Sequence, residues 1–324
     1  MKIILDFVLL IVGFILLIKG ADKMVDGSAS IAKKLGLSTM MIGLTVVAFG
    51  TSAPELIVNI FSSIEGSSDI GMGNIIGSNI SNILLILGVS AIIVDLEVNS
   101  SIIKKQIPFS ILSVVALFVL INGEMFNSGI NGLNQAGGLI LMLFFSIFLY
   151  YTISIARENR HDIKKAQLEK VEEVKTSLSL LYIIGGIIAL FVGGKLIVDS
   201  ASDIARFLGL SEVFIGLTIV ALGTSLPELA ASLVAAKKKH TDMAIGNVIG
   251  SNIFNILWVL ALSAIIRPIE FNPIINFDII FLIIASVVLF PLIFIGKKYS
   301  ISRREGIILV ALYIFYISYI SIRG

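Results

Sequence analysis

The chain of 324 residues has no cysteine, one tryptophan and two histidines, and only 14% of its residues are charged. Without cysteine there are no disulfides and no thiolate metal sites, although this absence names no compartment. His161 and His240 both stand in charged loops, and neither is a candidate metal ligand. Ordinary soluble chains carry roughly a quarter charged residues, so the shortage of charge argues against that class. The net charge of +2 is too small to point to nucleic acid. The apolar segments present no nucleophile–base pair and no phosphate-binding loop, which sets an enzyme aside.

What the chain does have is apolar sequence, 57% of it hydrophobic. Runs of about 20 apolar residues recur along its length, and each can cross a ~30 Å hydrocarbon core as a helix. The expected fold is an all-α polytopic membrane protein. Met1-Lys2 and the apolar run behind it resemble a signal peptide, but no small-residue cleavage pattern follows, so a retained first span is expected. Ten spans are expected, near 3–20, 39–64, 70–94, 106–122, 133–156, 177–198, 212–236, 243–266, 274–296 and 304–322. The first is expected to continue as an amphipathic helix through Gly20–Lys34, and Gly193–Phe207 has the same texture.

One longer connection, Arg157–Lys175, carries six basic and five acidic residues and reads as a charged helical linker. It divides the chain into a first five-helix repeat at 1–156, the linker at 157–176 and a second repeat at 177–324. With the linker in the cytoplasm, 17 Lys and Arg residues face inward and four outward, which places both termini outside the cell membrane. Lys237, Lys238 and Lys239 are read as part of this topology signal. Because five is odd, the second repeat enters the membrane from the opposite side. Inverted repeats of this kind place ion sites near the midplane, on interrupted helices.

The duplication is visible in the residues. Gly36–Ile93 and Gly209–Ile266 align without a gap and match at 31 of 58 positions. Gly50-Thr51-Ser52-Ala53-Pro54-Glu55 returns as Gly223-Thr224-Ser225-Leu226-Pro227-Glu228. The segments Gly73–Asn82 and Gly246–Asn255 keep the same offset of 173. Gly43, Gly50 and Pro54 weaken a helix, and carbonyls freed near Ala48 and Thr51 need partners inside a membrane. Thr51, Ser52 and Glu55 add oxygens within about one turn, and Ser78 and Asn82 stand at i, i+4. Such oxygen-only sets suit hard cations such as Na⁺, Ca²⁺ or Mg²⁺.

A carboxylate within a span costs a few kcal/mol, so Glu55 and Glu228 are functional candidates by default. No Lys or Arg in the surrounding spans is placed to pair with them. Two carboxylates brought together repel unless a cation or proton lies between them, and competition of Ca²⁺ with Na⁺ for one such place is a basis for antiport. Gly43, Gly73 and Gly77 also fit a packing role. Ser62 and Ser63 read as packing residues, and Asp26 and Asp199 as interfacial ones.

The repeated Gly-Thr-Ser-x-Pro-Glu and Gly-Ser-Asn-Ile-x-Asn segments, at 50–55, 223–228, 77–82 and 250–255, resemble the two α-repeats of the cation/calcium exchanger superfamily. Within it the chain is similar to prokaryotic sodium/calcium exchangers, over essentially its whole length. The resemblance implies a Ca²⁺ site shared by Glu55 and Glu228. It implies Na⁺ ligands at Thr51, Ser52, Ser78 and the Ala48 carbonyl, and at Thr224, Ser225, Ser251 and the Ala221 carbonyl. The central positions fall on Asn82 and Asn255. Animal and some archaeal members carry aspartate where Asn255 stands, and potassium-dependent ones carry it at both central positions. Potassium co-transport is therefore not expected, nor are calcium-sensing domains in so short a linker.

The expected activity is Na⁺/Ca²⁺ antiport by alternating access, electrogenic at three Na⁺ per Ca²⁺. An H⁺/Ca²⁺ antiporter of the same fold is the first rival and a cation channel the second. The paired Thr-Ser hydroxyls favour Na⁺, since a proton needs no such cage. The expected partners are the transported ions and membrane lipid, with no cofactor, and a monomer is plausible.

Overall fold

Apolar sequence covers the outside of this molecule as well as its core. Ile4, Phe7, Ile11 and Ile15 on one helix, Leu143 and Ile147 on another, and Ile314 and Phe315 on the last are all exposed. A surface of that composition belongs against lipid. The computed structural model describes residues 2–66, 68–126, 131–158, 174–209 and 221–323. In chain order the helices are α1 Lys2–Leu35, α2 Thr39–Thr51, α3 Ala53–Glu65, α4 Gly71–Ile93, α5 Ile102–Ile121 and α6 Gln135–Glu158. They continue with α7 Thr176–Phe207, α8 Ala221–Gly223, α9 Leu226–Lys237, α10 Thr241–Ile266, α11 Pro273–Ile295 and α12 Arg303–Arg323.

Among the described residues eight helices are long and apolar enough to cross a membrane, and α2 with α3 forms a ninth span bent by 46°. The expected span at 212–236 is represented by α8 and α9; its residues 212–220 lie outside the described residues, as does the linker from 159 to 173. The fold is a polytopic, all-helical membrane fold. The extension of the first span is borne out: α1 is one helix of 34 residues and α7 one of 32. At ~1.5 Å per residue each runs to about 50 Å, longer than a hydrocarbon core, and so has room to tilt.

α1 and α7 lie against each other along glycines. A methyl on Gly20 would sit 2.9 Å from the Gly186 carbonyl oxygen, and one on Gly186 2.7 Å from the Gly20 carbonyl oxygen. Such close backbone approach is how small residues hold membrane helices together. The pair is peripheral, with 22% of α1's most apolar stretch buried, whereas α4 and α10 are each 78% buried and form the centre.

Contacts between the two duplicated stretches are reciprocal. The short strand β1, Leu96–Glu97, pairs antiparallel with β4, Ser300–Ile301; β2, Gly132–Leu133, pairs with β3, Ile269–Glu270. Leu96 and Ile269 stand at the repeat offset of 173, so each stretch sends its strand to a partner from the other part of the chain. This exchange is consistent with inverted repeats.

Gly43 opens a π-helical turn, Gly43–Val47, rather than a break, and it packs tightly. A methyl at Gly43 would lie 2.5 Å from the Met243 carbonyl oxygen, and one at Gly250 2.8 Å from the Leu44 carbonyl oxygen. Both glycines seat α2 on α10. Gly250→Val drives a side chain into backbone, and overpacking of this kind costs about 1–3 kcal/mol. The expected outcome is a lower thermal midpoint in detergent, followed by size-exclusion chromatography of heated samples; an unchanged midpoint contradicts the packing role.

Candidate cation-binding site

The helical path breaks twice at equivalent places. Ser52, with φ −81° and ψ 8°, separates α2 from α3, and Ser225, with φ −85° and ψ 0°, precedes α9. Pro54 and Pro227 occupy the first turn of the restarted helices, where a missing N–H costs nothing. Glu55 and Glu228 share those first turns, so each carboxylate lies by the positive end of a helix dipole. Both glutamates have 0% of their surface exposed. Among the described residues neither pairs with a basic side chain.

Their supports come from both stretches. The Ser78 hydroxyl donates to Glu55 Oε1 at 3.2 Å. Glu228 Oε1 accepts from Ser52 at 3.1 Å and from Ser251 at 3.4 Å. Thr51 Oγ1 lies 3.1 Å from Asn247 Oδ1 and 3.4 Å from Ser251 Oγ. In mirror fashion Thr224 Oγ1 lies 3.3 Å from Asn74 Oδ1 and 3.4 Å from Ser78 Oγ. Glu55 Oε2, Glu228 Oε2, Ser225 Oγ, Asn82 Oδ1 and Asn255 Oδ1 are buried without a hydrogen-bond partner among the described residues. Buried polar atoms are seldom left so, and here each is an oxygen able to face a cation.

The structure therefore brings Glu55, Ser78 and Thr224 into one hydrogen-bonded group and Glu228, Ser52, Ser251 and Thr51 into another, each drawing on both duplicated stretches. Asn82 and Asn255 stand one helical turn beyond Ser78 and Ser251, each opening a π-helical turn, Asn82–Ile86 and Asn255–Leu260. Turns of that kind are frequent at functional sites. The Ala48 carbonyl accepts the Ser52 N–H at 3.0 Å and lies 3.3 Å from the Thr51 hydroxyl, so it belongs to the frame of the break. Ala221 opens α8, and the residues before it lie outside the described residues.

The sequence matches the family described as "Sodium/calcium exchanger protein" over residues 5–154 and 178–322. The chain belongs to the sodium/calcium exchanger family. It is 32% identical over 320 residues to "Sodium/calcium exchanger MaX1" of Methanosarcina acetivorans, covering 90% of this chain and 91% of that one. It is 27% identical over 288 residues to "Ca(2+)/H(+) antiporter ChaA" of Bacillus subtilis, covering 84% and 80%. Among solved structures it superposes on the sodium-calcium exchanger NCX_Mj with a TM-score of 0.82 at 36% identity, covering 98% of this chain and 99% of that one. As an exchanger the protein is a membrane antiporter and not an enzyme.

Sequence reasoning gave no role to four asparagines of the exchanger's repeats. Asn74 and Asn247 adjoin the threonines, and Asn247 Nδ2 also donates to the Glu228 carbonyl at 3.3 Å and to Ser232 at 3.0 Å. Asn79 and Asn252 donate to one another's backbone carbonyls. Their recurrence at the repeat offset was the signal available. Lys238, read as a topology charge, also bridges Asp22 at 2.7 Å and Asp26 at 2.5 Å on α1. Those carboxylates raise its pKa against the opposing effect of burial. His240 is half-buried, and burial with nearby Lys238 lowers its pKa.

Glu55→Gln and Glu228→Gln each remove half of the site's formal charge while keeping its shape. Each is expected to abolish ion-dependent flux in reconstituted vesicles, with the protein still monodisperse; flux at the unsubstituted rate in either variant contradicts the site.

Proposed function

We propose that the protein exchanges Na⁺ for Ca²⁺ across the cell membrane by alternating access, three Na⁺ for one Ca²⁺. The observation that carries this reading is the pair of fully buried glutamates, each with one oxygen held by serine and the other without a partner among the described residues. One divalent cation neutralises both. Na⁺ ions compete by using the same carboxylates together with the Thr51, Ser52, Ser78, Thr224, Ser225 and Ser251 hydroxyls and the Ala48 and Ala221 carbonyls. Asn82 and Asn255 complete the centre with neutral oxygens, so the glutamates supply its charge alone.

Obligatory exchange follows from electrostatics. Two bare carboxylates within a membrane cost several kcal/mol, which disfavours crossing with the site unloaded. Either cargo removes that cost, so passage is coupled to occupancy. The two repeats, 1–156 and 177–324, then rock about the centre, with the 157–176 linker in the cytoplasm and both termini outside.

The ratio follows from the driving forces. With a ~10-fold Na⁺ gradient and ~100 mV, each entering Na⁺ releases about 3.7 kcal/mol. Expelling Ca²⁺ against a ~10⁴-fold ratio needs roughly 10 kcal/mol. Two Na⁺ fall short and three suffice. Relatives named for Na⁺ and for H⁺ leave the counter-ion to the site's chemistry, and the paired hydroxyls favour Na⁺.

The test is Ca²⁺ uptake into Na⁺-loaded proteoliposomes, with Na⁺ replaced in turn by Li⁺, K⁺ or a pH gradient. Uptake is expected with Na⁺ alone, accompanied by current. Equal uptake driven by the pH gradient identifies a proton antiporter, and uptake without any opposing ion identifies a channel; either result overturns the proposal.

A further inference from the structure

We infer that Asn79 and Asn252 are positioning residues that turn the side-chain oxygens of Asn82 and Asn255 toward the transported cation, an inference that rests on the exchange site proposed above. An amide side chain has one donating and one accepting end, and which end faces a neighbour is decided by what that neighbour can do. Here the decision starts from two backbone carbonyls, which only accept. Asn79 Nδ2 donates to the Asn252 carbonyl at 3.2 Å, and Asn252 Nδ2 donates to the Asn79 carbonyl at 3.2 Å. These reciprocal bonds leave no freedom: the NH₂ ends of both residues point at backbone, so their Oδ1 ends point away from it.

Those oxygens meet the central residues. Asn82 Nδ2 donates to Asn252 Oδ1 at 2.9 Å, and Asn255 Nδ2 donates to Asn79 Oδ1 at 3.0 Å. The reverse orientation of either central amide sets two acceptors against each other at that separation. The central NH₂ groups are thus consumed, and Asn82 Oδ1 and Asn255 Oδ1 remain as the buried ends without a partner among the described residues. Each stands a helical turn from a serine that holds a glutamate. An NH₂ pointing the same way repels a cation; the oxygen attracts it. All four asparagines have 1% or less of their surface exposed, so water does not compete for these bonds.

The arrangement also crosses the repeat axis. Each central amide is set by an asparagine of the other duplicated stretch, so the two sets of neutral ligands are oriented only when the stretches are together.

The test compares four proteins in proteoliposomes: unsubstituted, Asn79→Ala, Asn255→Asp and the double variant. Half-saturating Ca²⁺ and Na⁺ are measured beside maximal rate. Loss of a residue that orients a ligand costs roughly tenfold in affinity, so Asn79→Ala is expected to raise half-saturation by about that factor. In the Asn255→Asp background the same change is not expected to raise half-saturation, because aspartate has no NH₂ to be misdirected and its second oxygen opposes Asn79 Oδ1, a repulsion that alanine removes. Equal shifts in both backgrounds show a merely structural role for Asn79 and overturn the inference, as does no shift in either. Asn79→Ser, whose hydroxyl both donates and accepts, keeps a polar contact while ceasing to dictate orientation, and it serves if the alanine variant does not fold. Absence of Na⁺-dependent uptake in the unsubstituted protein removes the exchange reading and this inference with it; exchange with uncoupled variants removes the inference alone.

Discussion

Two fully buried carboxylates, neither with a basic partner among the described residues, are the constraint from which the rest of this structure follows. A lone buried carboxylate is costly, and a second one close by makes it worse. The chain meets the difficulty with two helix N-termini and three serine hydroxyls, none of which carries a full positive charge. That restraint matters. A lysine or arginine in the same place would stabilise the fold and fill the site permanently.

The frame around the glutamates serves the same end. Breaks at Ser52 and Ser225 create helix starts in the middle of spans, with proline in the one turn where it does no harm. Glycine contacts between α2 and α10 let the broken segments be gripped by intact helices, so the irregular backbone lies inside protein.

Much of this was legible before any coordinate. Duplication at a fixed offset singled out Glu55, Glu228 and their serine and threonine neighbours, because a repeated polar cluster in an apolar chain has no packing reason to recur. Three things were not legible. The helix was expected to be interrupted between Gly43 and Glu55, and it does break there, at Ser52; what the residues did not show is that Gly43 opens a π turn and that the Ser52 N–H claims the Ala48 carbonyl. Lys238 looked like one of three equivalent surface charges, and only the path of α1 reveals its ion pairs with Asp22 and Asp26. The roles of Asn79 and Asn252 depend on which backbone carbonyl each meets across the axis. That is tertiary information, absent from spacing.

The exchanged strands and crossed amides have a further meaning. Neither duplicated stretch closes its own strand pair or fixes its own central ligand. The two duplicated stretches thus complete each other within one chain, as the protomers of a dimer do. Joining them turns what would be a second-order encounter in the bilayer into an intramolecular one, at an effective concentration set by linker length.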